Sequence, residues 1–210
     1  MSSKRFRRGG FALLATAVCL TVGFVMVGTA GAKKAKSKTS PTADVTVQLN
    51  QVVPTASNGP PPQQNGRLTS TTTLGKKFKG KLIDDVNARI TASGDDVGGL
   101  AVRLTAPNGD TVCLLGCSFG LFGKQIGPLT LDDETPVILS GRDPQNFQDP
   151  DQLFSPYAGT ANPEGTLSDL DNGPAKGIWT LRAGNADPSN PVTISQWGIH
   201  VATHRPYLTK

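Results

Sequence analysis

Acidic residues that recur in pairs are the constellation in this chain with the clearest potential for metal chemistry. The pairs and runs are Asp84-Asp85, Asp95-Asp96, Asp132-Asp133-Glu134, Asp149 with Asp151, Asp169 with Asp171, and, singly, Asp187. Carboxylates and backbone carbonyls together supply the oxygen ligands that Ca²⁺ takes, although none of these pairs has the spacing of an EF-hand loop. Asp is also an ordinary turn residue, because its side chain bonds to nearby backbone. The pattern therefore predicts either calcium sites in loops or turns closed by acids.

Catalysis through histidine is not supported by the two histidines of the sequence, His200 and His204. A Ser-His-Asp triad needs a histidine that reaches the nucleophile and is held by an acid. His200 falls on the face of its strand opposite the apolar residues, and His204 follows in the tail, so we interpret both as facing solvent. A carboxylate pair about 5–9 Å apart could still act as the acid and base of a glycosidase. Only 6% of the residues are aromatic, which disfavours the aromatic-lined cleft that such an enzyme uses.

Cys113 and Cys117, in C-L-L-G-C, are the cysteines that remain once the N-terminal segment with Cys19 is set aside. In an oxidising compartment two such thiols pair, so we predict a local disulfide. The loop is very short, and its closure contributes little chain entropy. Two cysteines spaced by three residues give no zinc set, and no neighbouring cation lowers a thiol pKa as in redox-active pairs.

Short alternating apolar runs must position these residues, and they predict an all-β body. In G-I-W-T-L, Trp179 and Leu181 lie on the same face of the predicted strand. In W-G-I-H-V, Trp197 and Ile199 likewise share one face of theirs. The runs I-D-D-V-N-A-R-I and L-A-V-R-L alternate similarly, and A-P-N-G-D before T-V-C-L-L supplies a turn. No window after residue 32 carries a helical apolar stripe. The 24 Gly and 16 Pro residues also favour short strands joined by many turns.

In their order and spacing these runs resemble the P domain, also called the P/Homo B domain, of proprotein convertases and bacterial subtilisin-like serine proteases. The resemblance covers residues 80–203 and rests on I-D-D-V-N-A-R-I, L-A-V-R-L-T-A-P-N-G-D-T-V-C-L-L, L-T-L-D-D-E-T-P, F-S-P-Y-A-G, T-L-S-D-L-D-N-G-P-A-K-G-I-W-T-L-R-A and W-G-I-H-V. The chain departs from the family at Ser93-Gly94-Asp95, where a His is common, and at Gly99, where an Asp is common.

The resemblance implies an eight-stranded, jelly-roll-like β-sandwich, similar to galactose-binding domains. It also implies a module that often binds calcium and stabilises or escorts a protease without cutting peptides itself. By the positions of the family's acidic loops, the residues implied to hold structural Ca²⁺ are Asp95, Asp96, Asp132, Asp133 and Asp187.

The first 32 residues are typical of an export signal. Four basic residues precede the apolar run Phe11 to Val27, and Ala30-Gly31-Ala32 offers the small residues that a signal peptidase reads. We predict a signal peptide over residues 1–32. The alternative is an uncleaved membrane anchor, because the apolar run is near the ~20 residues that span a bilayer. Either way the protein is expected to be secreted or associated with the cell envelope.

Residues 33–77 are rich in Lys, Ala, Ser, Thr and Pro, and include the stiff polar run Pro60 to Gly66. This composition predicts a disordered, basic linker. One segment, Val45 to Leu49, alternates like a strand and could add to a sheet edge in this domain or in a partner. The predicted organisation is thus a linker over 33–77, a β-sandwich over 78–204 and a tail over 205–210.

The whole chain has a net charge of +5, but its predicted β-sandwich is acidic. Residues 82–210 hold eight basic and fifteen acidic side chains, a net charge of −7. A nucleic-acid-binding surface would need clustered basic residues on the domain itself, so nucleic acid is not an expected partner.

Three functions follow from the sequence. The leading one is a non-catalytic module that binds or assists a subtilisin-like protease or another exported protein. The second is calcium-dependent binding of a glycan or another cell-envelope polymer, and the third is the carboxylate-based hydrolase. Binding specificity is expected in loops such as 115–128 and 140–162. Within the first of these loops, Leu121-Phe122 forms either an exposed tip or a loop packed on the sandwich.

Overall fold

The computed structural model describes residues 40–55, 67–118, 120–139, 152–153 and 156–206, with side chains for all but 152–153. The predicted signal peptide, residues 33–39 and 56–66 of the predicted linker, and most of loop 140–162 lie outside these ranges. The helical segments in the described part are single 3₁₀ turns at Lys76–Phe78 and Leu167–Leu170. No helix within these ranges has the length and apolar character needed to cross a membrane.

Eleven strands are formed by the described residues. In chain order they are β1 (Ala43–Val52), β2 (Leu68–Leu74), β3 (Leu82–Gly94), β4 (Leu100–Thr105), β5 (Thr111–Leu115), β6 (Gln125–Leu131), β7 (Ile138–Leu139), β8 (Gln152–Leu153), β9 (Gly159–Ala161), β10 (Gly177–Asn185) and β11 (Val192–His204). One sheet has the order β1-β11-β3-β6-β9, the other has the order β2-β10-β4-β5, and β7 pairs with β8.

The all-β sandwich predicted from the sequence is confirmed. Pairing is antiparallel throughout the two large sheets except between β6 and β9, which run parallel. The sheets contain nine strands, where the resemblance implies eight. Two of the nine, β1 and β2, lie upstream of residue 78, and the other seven lie within the predicted β-sandwich segment 78–204.

The predicted linker is wrong over two of its segments. Residues 43–52 form β1, which pairs with β11, and residues 68–74 form β2, which pairs with β10. Val45 to Leu49 therefore adds to the sheet of this same domain. β2 has large apolar residues only at its ends, and β1 alternates Val45, Val47 and Leu49 with polar residues, because each is an edge strand with one covered face. All described residues belong to one compact unit, Lys38–Lys210.

The two tryptophans anchor the core from opposite sheets. Trp179 on β10 and Trp197 on β11 are both completely buried, whereas Ile178 beside Trp179 is 58% exposed, as the alternation predicts. A buried indole N–H needs an acceptor. Trp179 Nε1 donates to the carbonyl of Ala175 at 3.2 Å, and Trp197 Nε1 donates to Ser70 Oγ at 2.8 Å. The second bond joins β11 to β2 and so ties the two sheets together.

Candidate metal centre

A turn after β6 brings three carboxylates together. Asp132, Asp133 and Glu134 each offer one oxygen, and these oxygens all lie within 4.8 Å of one another. The backbone N–H of Asp132 donates to Ala161 O at 3.0 Å, which holds the turn beside β9. Asp132 Oδ1 accepts from the backbone N–H of Glu134 at 3.0 Å. Asp133 Oδ2 accepts from both the backbone N–H and the hydroxyl of Ser168, at 2.8 and 2.7 Å. The 3₁₀ turn at Leu167–Leu170 thus fixes one side of the group.

Two further acids stand near this turn. Burial raises the pKa of Asp85, on the solvent-facing side of β3, and the charge of Asp132 raises it further. Burial likewise raises the pKa of Asp171 to about 6, with added repulsion from Asp85 and Asp133. Asp171 Oδ1 is buried and has no hydrogen-bond partner among the described residues. We call Asp85, Asp132, Asp133, Glu134 and Asp171 the acidic end of the sandwich.

Glu134 is the acid most affected by this crowding. A side-chain hydrogen bond with Asp132 is the main cause that raises the pKa of Glu134 to about 7, followed by burial and by the charges of Asp85 and Asp133. Glu134 is exposed, so proximity to Asp132 contributes more than loss of water does. Carboxylates this close cannot all ionise without a cost. A proton reduces that cost at low pH, and a cation can do so at higher pH.

The stability of the metal-free protein is expected to fall as the pH rises from about 5 to about 7.5. In this range the folded chain retains protons on Glu134 and Asp171, with pKa values of about 7 and about 6, while the unfolded chain, with values of 4.5 and 3.8, releases them. The folded state therefore binds more protons, and its advantage is lost as the pH passes through these values. Thermal unfolding in EDTA across this range measures the effect. Glu134→Gln should flatten the profile, and an unchanged slope in that variant would contradict the assignment.

The other implied calcium ligands lie at the far end of β3. Asp95 and Asp96 follow Gly94, so they are roughly 30 Å from Asp85 along the strand. Asp96 Oδ1 accepts from the backbone N–H of Gly98 at 2.9 Å. Asp187 accepts from Ser189 N at 2.8 Å and from Asn190 Nδ2 at 2.6 Å, and the Asn190 bond is the main cause that lowers the pKa of Asp187. Asp96 and Asp187 therefore close turns.

The structure thus divides the implied ligand set. It brings Asp132 and Asp133 together and leaves Asp95, Asp96 and Asp187 at the opposite end. It adds Glu134, Asp85 and Asp171, which belong to acidic pairs visible in the sequence. What the sequence does not contain is the register between β3 and β6 that brings those pairs to the same end.

Cys113 and Cys117 lie as the sequence predicts, with their sulfurs at disulfide distance and their Cα atoms 6.3 Å apart. Glu164 lies beside them, and its carboxylate and the two sulfurs all fall within 4.8 Å of one another. Sequence reasoning missed Glu164, because it comes from a segment 47 residues beyond Cys117. Among the described residues, this group and the turn after β6 are the two places where three metal-ligating side chains converge.

Both histidines stand beside acids on or near β11. His200 Nδ1 lies 3.8 Å from Asp44 Oδ2, and the side chain faces away from the core, as predicted. His204 is the last residue of β11 rather than part of a tail, since it pairs with Leu82. Its Nδ1 lies 3.3 Å from Asp84 Oδ1, and its side chain is 19% exposed. The prediction that His204 faces solvent in a tail is therefore wrong, because β3 is long enough to extend the pairing to the end of β11 and to cover this side chain.

Comparison with known proteins identifies no family. No family model matches the sequence, and no curated protein does. The crystal structure of the serine protease of Aeromonas sobria is similar over 78% of this chain and 27% of that chain, with 14% identity and a TM-score of 0.42. The complex of that protease with its chaperone is similar over 77% of this chain, with 12% identity and a TM-score of 0.37. This chain spans about a quarter of the length of those protease chains, and similarity at these TM-scores assigns neither family nor function.

Proposed function

We propose that this chain is an exported, non-catalytic β-sandwich module whose acidic end binds a structural Ca²⁺. The observation that carries the proposal is the convergence of carboxylate oxygens from Asp132, Asp133 and Glu134 within 4.8 Å, with Asp85 and Asp171 beside them. Ca²⁺ takes six to eight oxygen ligands in flexible geometry, from carboxylates, carbonyls and water. Acids from three segments would then be held together by one ion.

The geometry favours a metal over a hydrolytic pair of carboxylates. A glycosidase holds its acid and its base about 5–9 Å apart, on opposite sides of a sugar. The oxygens of Asp132, Asp133 and Glu134 are closer to one another than that. Asp133 is in addition committed to Ser168 through both of that residue's donors. This close spacing supports a small cation rather than a sugar as the ligand of these acids.

The partner in this proposal is another exported protein, with a subtilisin-like serine protease as the leading candidate. The sequence resemblance to P domains supports this role. A calcium ion at the acidic end would order the turn after β6 and the segment before β10, and so prepare a surface for binding. Association with a purified subtilisin-like protease in calcium, and its loss in EDTA, would support the role.

Millimolar calcium is expected to raise the midpoint of thermal unfolding of the full chain. A ligand present at 100 times its Kd adds about 2.7 kcal/mol to the stability of the folded state, which for a domain of this size is roughly 5–10 °C. The shift should disappear in the double variant Asp132→Asn/Asp133→Asn. It should persist in the matched control Asp95→Asn/Asp96→Asn, which removes the same charge from the opposite end. No shift in the native chain, or a loss of the shift in the control alone, would contradict the proposal.

A further inference from the structure

We propose that reduction of the Cys113–Cys117 pair opens a zinc-binding site that Glu164 completes. Thiolates are soft ligands that select Zn²⁺, whereas the oxygen-only acidic end suits a hard cation such as Ca²⁺. Two cysteines at this spacing lack a third ligand, and the fold supplies one. The Cys113 and Cys117 sulfurs and a Glu164 carboxylate oxygen lie within 4.8 Å of one another, and all three residues are half-buried.

Backbone pairing holds Glu164 against the cysteine loop. The N–H of Glu164 donates to Leu114 O at 3.3 Å, and the N–H of Gly165 donates to Cys113 O at 2.8 Å, so this segment lies along β5. The carboxylate is oriented by the loop itself. Its Oε2 accepts from the backbone N–H groups of Cys117 and Ser118, at 3.0 and 2.7 Å. The backbone of Glu164 is therefore held by β5 independently of the bond between the two sulfurs, while its carboxylate is held by the end of the cysteine loop.

The other carboxylate oxygen of Glu164 is available as a ligand. Oε1 is buried and has no hydrogen-bond partner among the described residues. An unpaired buried oxygen is costly, and more so on a charged group. With Oε2 held by two N–H groups, a cation bound at Oε1 would satisfy the carboxylate without breaking either bond. This unpaired oxygen marks the group as a site rather than as a disulfide with an acid nearby.

The chemistry requires a two-electron reductant of the thiol or phosphine class. Reduction breaks the S–S bond, and each sulfur takes one electron and one proton, while two reductant thiols are oxidised to a disulfide or a phosphine is oxidised, with water, to a phosphine oxide. Leu115 O lies 3.7 Å from Cys113 Sγ and 3.6 Å from Cys117 Sγ, close enough to accept weak bonds from both thiols. Zn²⁺ binding then releases both protons to water, and two thiolates, Glu164 Oε1 and a water complete four-coordination. Tetrahedral zinc separates two sulfurs by roughly 3.8 Å, which side-chain rotation can reach from Cα atoms 6.3 Å apart.

The loop would thus be closed in two chemically different ways. A covalent bond closes it under oxidising conditions, and a metal closes it when the thiols are reduced. The same loop leads to Leu121, which is fully buried, and to Phe122, which is 52% exposed. Of the two arrangements predicted for this pair, the packed loop holds for Leu121 and the exposed tip for Phe122, whose N–H donates to Tyr157 Oη at 2.9 Å.

Cobalt titration of the full chain tests the proposal, with Cys19→Ser present so that only two thiols can bind. Co²⁺ is the probe because thiolate coordination gives it charge-transfer absorption. In excess phosphine reductant the absorption should saturate at one equivalent and disappear when Zn²⁺ is added, and the oxidised protein should show none. Cys117→Ser should abolish it. Glu164→Gln should weaken cobalt binding at least tenfold, since Gln can still accept from the two N–H groups but is a poor metal ligand.

Controls separate this site from the acidic end. Thiol counting shows whether reduction is complete, so a missing band then means that the site does not bind and overturns the proposal. Equal cobalt affinity in the native chain and in Glu164→Gln would also overturn it, provided that their unfolding midpoints agree. Glu134→Gln should leave the cobalt titration unchanged. A loss of the thiolate band in Glu134→Gln would place the metal elsewhere and contradict the assignment.

Discussion

A fragment that begins at residue 78 is expected to lose cooperative unfolding, although sequence patterns place the start of the domain there. Such a fragment lacks β1 and β2, which cover one edge of each sheet. It also loses the buried side chains of Leu68 and Leu74, each worth about 2 kcal/mol, and Ser70, the acceptor for Trp197. Together with the loss of the β1–β11 and β2–β10 ladders, this is comparable with the whole of a reserve that is typically about 5–15 kcal/mol.

The comparison is with a fragment that begins at Lys38, the start of the compact unit. Near-ultraviolet circular dichroism follows the packing of the two tryptophans, and thermal scans follow cooperativity. The longer fragment should give a sharp transition, and the shorter one a weak aromatic signal and a broad or absent transition. A sharp transition in both fragments would mean that β1 and β2 are accessory strands.

Trp197→Ala is expected to destabilise the protein by about 3–5 kcal/mol, the usual cost of removing a buried indole. Trp197 is fully buried on β11 and contributes the hydrogen bond that joins the sheets. The exposed neighbour of the other tryptophan offers a matched surface control. Ile178→Ala, at a side chain that is 58% exposed, should change the stability by less than about 0.5 kcal/mol.

A double-mutant cycle separates the hydrogen bond from the packing. Trp197→Phe keeps most of the apolar volume and leaves the Ser70 hydroxyl unpaired, while Ser70→Ala leaves the indole N–H unpaired. Each should cost about 1–3 kcal/mol, because a buried polar group loses its partner. The double variant should cost less than the sum of the two. Additive losses in denaturant unfolding would show that the bond between the sheets contributes little.

The turn between β4 and β5 shows how far sequence reasoning reaches. A-P-N-G-D predicts a tight turn, and the structure has one, with the Ala106 N–H donating to Asp110 O at 2.8 Å and Gly109 at a φ of 97°. Trp179 and Trp197 likewise lie on the buried faces that their alternation predicts. In each case the relevant physics acts within a few residues: steric limits on φ, the two-residue period of a strand, and the preferences of Gly, Pro and Asp for turns.

β1 and β2 show where that reasoning stops. β2 is rich in Thr and the residues before β1 are rich in Lys, so composition predicts a linker, although Val45 to Leu49 alternates like a strand. Their strand conformation comes from pairing with β11 and β10, which lie more than a hundred residues away in sequence. An edge strand needs one buried face and a partner, and the partner is not visible locally.

The candidate metal ligands also combine features that local sequence decides with features that only long-range strand pairing decides. Local sequence establishes that acids recur in pairs, that the cysteines are close enough to bond and that the chain forms short strands, because residue type and spacing decide these features. Three features depend on strand register: Asp85 lies near Asp132 and Asp171 near Asp133, Asp95 and Asp187 lie away from them, and Glu164 lies beside the cysteines. Register is selected by the packing of the whole core, since a shift of one residue would turn every side chain of a strand to the other face.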